Sequence, residues 1–185
     1  FGSGNSKVNI LSSNYPTKST KVPNPLSLCL MFQDDSNNKM LFLGDAEGEV
    51  EADILRYYKN AKTDFLQTYG LKLGHHGSVA GTSVDWVKAV KPKAIFASGD
   101  FVWSHPYCET IERVLANTTL DTYSPKLRYC CGIPGKEYHN NFSDKQIFIN
   151  LWYVVLEAAG IQMKTTWGNQ IVNCQQGLTW GVQWE

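Results

Sequence analysis

The 185-residue sequence predicts an α/β fold with an antiparallel supplement. Three observations point there. Short apolar runs at 40–43, 65–73 and 94–98 each stop at a glycine, and Asp45, His75-His76 and Asp100 follow at once. Between those runs the apolar spacing lengthens to a helical period. Beyond residue 146 strand-like segments tied by Gly160, Gly168 and Gly177 take over, which gives an alternating middle and a strand-rich tail.

In chain order, Val8-Asn9-Ile10-Leu11 predicts a short strand and 14–20 a loop. Residues 26–32 are apolar and end at Gln33-Asp34-Asp35-Ser36-Asn37-Asn38, so 26–32 and 40–43 read as a hairpin that delivers Asp45. From 47 to 60, Val50, Ile54, Leu55 and Tyr58 mark one helix face, with acids early and Arg56 and Lys59 late, as the helix dipole favours. Residues 65–73 predict the next strand and 74–82 a loop. Ser83 caps a helix carrying Val84, Trp86, Val87 and Val90, which Pro92 ends. Residues 94–98 form another strand, Trp103-Ser104-His105-Pro106 a loop, and 110–116 a helix. A loop over 117–144 then precedes strands at 147–156, 162–167 and 178–184. Two parts follow: 1–145, and a β-rich extension over 146–185 packed on the same domain.

Composition narrows the function. An apolar fraction of 43% and a charged fraction of 18% describe a folded chain long enough for a sizeable core. Seventeen basic residues balance seventeen acidic ones, so net charge gives a nucleic-acid partner no support. No apolar run approaches the ~18 residues of a membrane helix. The chain opens Phe1-Gly2-Ser3-Gly4 without an initiator Met or a signal peptide, and is expected to be a piece of something longer. Five cysteines without a CxxC pair argue against a structural zinc, and the odd count leaves one thiol unpaired. Sequons at Asn117 and Asn141 lean towards a secreted glycoprotein.

Strand ends aim their side chains into one crevice, so Asp45 and the His75-His76 pair are expected to share an ion that takes N and O ligands. Asp45 also reads as an N-cap of the following helix, and His105 as an ordinary loop residue. His139 reads as solvent-exposed. A ligand histidine needs its second nitrogen held, by Ser78 or a backbone carbonyl.

Taken together, Leu-Phe-Leu-Gly-Asp-Ala-Glu, Leu-Lys-Leu-Gly-His-His-Gly-Ser and Ser-His-Pro resemble the second half of metallo-β-lactamase-fold hydrolases. The ComEC-like branch, named for the nuclease-like domain of bacterial DNA-uptake channels, is the most similar. Asn24-Pro25-Leu26-Ser27-Leu28 resembles that family's Asn-x-x-Ser-Leu strand, and the likeness spans 8–116. It implies half of a four-layer αββα sandwich and a two-metal site for Zn2+, with Mn2+ an alternative. Asp45 would bridge the ions and His76, in a His-Gly-Ser setting, would be the last ligand. His75 would ligate or face substrate. His105 would contact substrate or protonate the leaving group, with Ser78 also on the substrate side.

The family's His-x-His-x-Asp-His motif does not occur in this chain. The remaining ligands are therefore expected on a preceding segment or partner chain. Metal-activated water would then cleave a phosphodiester or ester in a nucleic acid or small molecule. The alternative is an inactive secreted structural or binding domain, with Trp167, Trp180 and Trp184 at an interface.

Overall fold

A computed structural model describes residues 6–13, 23–59, 64–100, 103–133, 137–152, 154–156 and 163–165. Its centre is a six-stranded mixed sheet. Strands β1 (Lys7–Ser12), β2 (Cys29–Gln33) and β3 (Lys39–Phe42) are antiparallel. Then β4 (Gly70–Lys72), β5 (Ala94–Asp100) and β8 (Ile147–Trp152) add in parallel, giving the order β1-β2-β3-β4-β5-β8. Strands β6 (Thr122–Ile133) and β7 (Glu137–Lys145) form a separate antiparallel hairpin. A further pair joins β9 (Val154–Leu156) and β10 (Met163–Thr165).

Helices α1 (Gly48–Tyr58), α2 (Val84–Val90) and α3 (Cys108–Asn117) follow β3, β4 and β5 in turn. Ser83 caps α2 as expected, its hydroxyl accepting from Trp86 N. The parity of each strand decides what it buries. Met31, Leu41, Leu71, Ile95, Ile147 and Ile149 point to the side of Val50, Ile54, Trp86, Val87, Val90, Ile111 and Val114, and all lie in one buried cluster. Among the described residues the other parity is only partly covered, and least so at the β1–β3 end. Val8 (56%), Ile10 (62%), Phe32 (42%) and Phe42 (38%) are exposed there, although apolar. Phe32 meets Phe42 edge-on and Phe96 stacks on Phe148 along this second face.

The parallel register is Met40↔Gly70, Leu41↔Leu71, Phe42↔Lys72. Any side chain at Gly70 would collide with the Met40 sulfur, so the thioether fills the space the glycine leaves.

Four expectations on the fold need correction. Only 70–72 of the 65–73 run pairs as a strand. Upstream, side chains take the place of the ladder: the Thr68 hydroxyl donates to Lys39 O, and Lys39 Nζ donates to the carbonyls of Asp64 and Phe65. Residues 24–26 form a 3-10 turn around the buried Pro25, so β2 begins only at Cys29. The 117–144 loop is instead largely the β6–β7 hairpin, whose register shifts between Thr122 and Leu127. The run 147–156 divides between β8 and β9, which lie in different sheets. Residues 14–20 and the three tail tryptophans fall outside the described residues.

Cys108 and Cys131 form a disulfide with Cα atoms 4.8 Å apart. Cys29 is a free, buried thiol, pushed up to about 12 by burial and then by the Glu51 charge. Among the described residues no helix is long and apolar enough to cross a membrane.

Candidate functional site

The C-terminal ends of β3, β4 and β5 bring Asp45, His75, His76 and Ser98 together. Gly44 turns the chain out of β3 at φ +58°. The Ser27 hydroxyl accepts from Asp45 N at 3.0 Å, and His75 N donates to Gly44 O at 3.1 Å, tying the two strand ends together. His75 (φ 42°) and His76 (φ 56°) are both left-handed. Two such residues in a row, neither of them glycine, store strain of order 1–3 kcal/mol each. The strain swings both rings out of the tight turn Gly74–Gly77 over the sheet edge.

His76 Nε2 lies 3.2 Å from Asp45 Oδ1. Its Nδ1 lies 2.9 Å from the Ser98 carbonyl oxygen and 2.9 Å from Ser98 Oγ. A carbonyl only accepts, so the ring proton is assigned to Nδ1 and Nε2 turns a lone pair towards the carboxylate. Two acceptors face each other, and they need a positive charge between them: a second ring proton or a cation. Asp45 is therefore not the helix cap. That position falls to Glu47, whose side chain is also turned away from the helix.

Glu47 Oε1 sits 2.7 Å from His75 Nδ1 and accepts from Asn24 Nδ2 at 3.1 Å. The Asn24 amide nitrogen is also 3.3 Å from His75 Nδ1. His75 is thus oriented by a carboxylate, as ligand or substrate-facing imidazoles commonly are. His105 completes the group, its ring centroid 5.4 Å from that of His75 and 6.2 Å from that of His76, with its plane nearly parallel to the latter's. Lys72 Nζ donates to Gly44 O at 3.2 Å; burial pulls its ammonium below the usual lysine value, and the Asp45 charge opposes that.

The loop after the histidines is fixed from behind. Glu51 is fully buried, and its carboxylate accepts from Thr82 N at 2.5 Å and Ser83 N at 2.8 Å. Burial raises it above the usual value, against those bonds and Arg113. Arg113 donates to Gly81 O at 2.9 Å, and more weakly to the carbonyls of Val79 and Thr82.

Of the residues singled out from sequence, Asp45, His75, His76 and His105 come together here. Of the two holders expected for the second nitrogen of His76, Ser78 does not reach the ring, and a backbone carbonyl, that of Ser98, does, with the Ser98 hydroxyl beside it. The buried Ser78 instead bonds locally, its hydroxyl accepting from Ala80 N and its carbonyl from Thr110. Asn117, half-buried at the end of α3, donates to Arg113 O. Asn141 lies in β7 rather than a polar loop, with its amide nitrogen 3.6 Å from Cys131 Sγ. His139 is exposed on the same strand. Sequence reasoning missed Glu47, Asn24 and Ser98. The first two stand inside the motifs already quoted, and Ser98 immediately precedes Gly99-Asp100.

As a fit test for the implied metal, two donors about 2.0–2.1 Å from a tetrahedral ion stand roughly 3.3 Å apart. The 3.2 Å separation of Asp45 Oδ1 and His76 Nε2 suits such a pair. Catalytic zinc takes three protein ligands, however, and among the described residues no group of three or more His, Cys, Asp or Glu is placed to hold a metal. The pair fits as part of a site and does not make a whole one.

Fold and site together define a mixed-sheet α/β protein with helices on one side and an acid–imidazole cluster at the C-terminal sheet edge. In sequence it is similar to Recombination protein 2 of Haemophilus influenzae, 36% identical over 88 residues, or 46% of this chain and 10% of that protein. It is also similar to ComE operon protein 3 of Bacillus subtilis, 30% identical over 105 residues, or 56% of this chain and 12% of that protein. The matched segments thus amount to about a tenth of each relative's length. No family model matches, and no solved structure does.

Proposed function

We propose that this chain is the C-terminal half of a metallo-β-lactamase-like αββα hydrolytic domain that cleaves phosphodiester bonds. The observation that carries the reading is the facing pair of acceptors, Asp45 Oδ1 and His76 Nε2, 3.2 Å apart with the far ring nitrogen held by Ser98. Asp45 and His76 would hold one side of a divalent ion, zinc or manganese. The ion's part in the chemistry is to acidify water and to stabilise developing negative charge.

The chain's own residues do the remainder. Ser98 keeps His76 in the tautomer that presents Nε2. Glu47 and Asn24 orient His75, and His105 closes the rim on the substrate side. The open sheet face supports a missing second layer: a row of exposed apolar residues beside an incomplete site suits a second sheet that brings the other ligands. The name of one relative, a recombination protein, together with the resemblance to the nuclease-like domain of DNA-uptake channels, favours DNA as the source of the phosphodiester. The Cys108–Cys131 disulfide favours an oxidising compartment.

A second reading, a non-catalytic domain of the same ancestry, draws on the two-donor limit seen among the described residues. Calorimetric titration with Zn2+ and Mn2+ separates them, run on the chain alone and joined to the polypeptide encoded upstream. It is paired with an assay on bis(p-nitrophenyl) phosphate and single-stranded DNA. Metal uptake and hydrolysis by the joined protein support the enzyme; neither metal bound in either form removes it.

A further inference from the structure

We propose that the β6–β7 hairpin, stapled to α3 by the Cys108–Cys131 disulfide, is the device that positions His105 in the imidazole cluster. The inference deepens the site reading above and rests on it only for the cluster's purpose.

His105 stands three residues before Cys108, at the start of α3. The segment between them is gripped from two sides. On the side of the histidine pair, Tyr107 N donates to Gly77 O at 3.1 Å. A Cβ on Gly77 would come within 2.5 Å of Pro106 Cβ, so the proline ring lies against the bare glycine. On the hairpin side, Gly132 N donates to Pro106 O at 2.8 Å, and Tyr107 and Gly132 form an isolated parallel bridge. A Cβ on Gly132 would run into the backbone of Ser104, which the missing side chain lets pass.

Cys131 precedes Gly132 directly, and its bond to Cys108 closes this clamp covalently across 23 residues of sequence. Ser104 and Cys131 are only 2% and 1% exposed. The His105 ring is thus set by the hairpin, whose described residues contribute none of the donors near Asp45.

The test uses the full chain, with the Cys108→Ser/Cys131→Ser double variant and, separately, Gly132→Ala, which keeps the disulfide. Ring-proton NOEs between His105 and His75 report the placement directly, a signature that a merely stabilising bond would leave in place. Both variants are expected to lose those NOEs. Amide exchange at Tyr107 and Gly132 should rise at least tenfold, while the Gly48 amide, bonded to Ala80 O, changes less than twofold. Retention of the His105–His75 NOEs in both variants overturns the proposal. Should the double variant fail to fold, Gly132→Ala alone decides. A Zn2+ titration of the same variants, run both alone and in the joined form described above, keeps the two readings apart, because lost NOEs with no metal uptake in either form uphold the positioning role and defeat the metal reading.

Discussion

Asp45 Oδ1 and His76 Nε2 stand 3.2 Å apart, although they end different strands and lie 31 positions apart in sequence. Neither atom supplies a proton in the tautomer that Ser98 imposes, so the contact is a socket for positive charge. In the longer protein that the proposed function requires, His76→Ala is expected to lower Zn2+ affinity at least tenfold, and Asp45→Ala likewise. His139→Ala, exposed on β7, should leave it within twofold. Calorimetry on the three purified variants checks this; equal loss in all three would remove the assignment.

Glu51 should make stability fall as pH rises. Its folded-state value is raised above the usual 4.5 by burial. Unfolded chains therefore lose the proton first, and between the two values the native state binds more protons, so stability declines across that window. Glu51→Gln removes this ionisation and should flatten the decline. It should also cost about 1–3 kcal/mol, because one of the two backbone donors at Thr82 and Ser83 loses its acceptor. Urea melts of both proteins across the acid range measure the slope.

Cys29 should be chemically silent in the native protein. With its thiol pushed up to about 12, the nucleophilic thiolate is scarce at pH 8 and the sulfur is buried. Iodoacetamide at pH 8 should leave Cys29 unmodified in buffer and alkylate it fully in urea, read by peptide mass spectrometry. Labelling of the native protein at the rate of a free thiol would contradict the burial.

The open sheet face should bind the solvatochromic dye ANS in the isolated chain. Phe32→Ser/Phe42→Ser should reduce that fluorescence at least twofold. Stability should change far less than the ~3–5 kcal/mol of a buried aromatic truncation, since both rings are about two-fifths exposed. Under the proposed two-layer reading, the same double variant should weaken association with the segment that covers this face. Unchanged dye fluorescence would mean that this face does not supply the binding surface.

Much of the frame was legible because the parallel strands and helices announce themselves by period. Ser83 capping α2, the α1 face and the strand-end glycines all follow local rules. The meeting of Asp45 with the histidine pair was legible too, since strand ends share an edge. What escaped depends on tertiary contact. The β6–β7 hairpin hid behind Pro125 and polar neighbours that demote a strand, although Pro134-Gly135 between its arms was a turn signal. Thr68 and Lys39 shortened β4 through side-chain bonds that no periodicity encodes. Ser98 replaced Ser78 beside His76 because a left-handed turn at both histidines aims the ring across to β5.

The Met40–Gly70 fit has one more consequence. Asp45 and His76 each ride a few residues beyond a paired position, so a slip of one residue between β3 and β4 would carry one of them about 3.3 Å along the edge and invert its strand's faces. A sulfur lodged over a missing side chain acts as a detent against that slip. Calibration of the charged socket is therefore set in the middle of the sheet, and enlarging Gly70 should detune it without altering any atom of the socket itself.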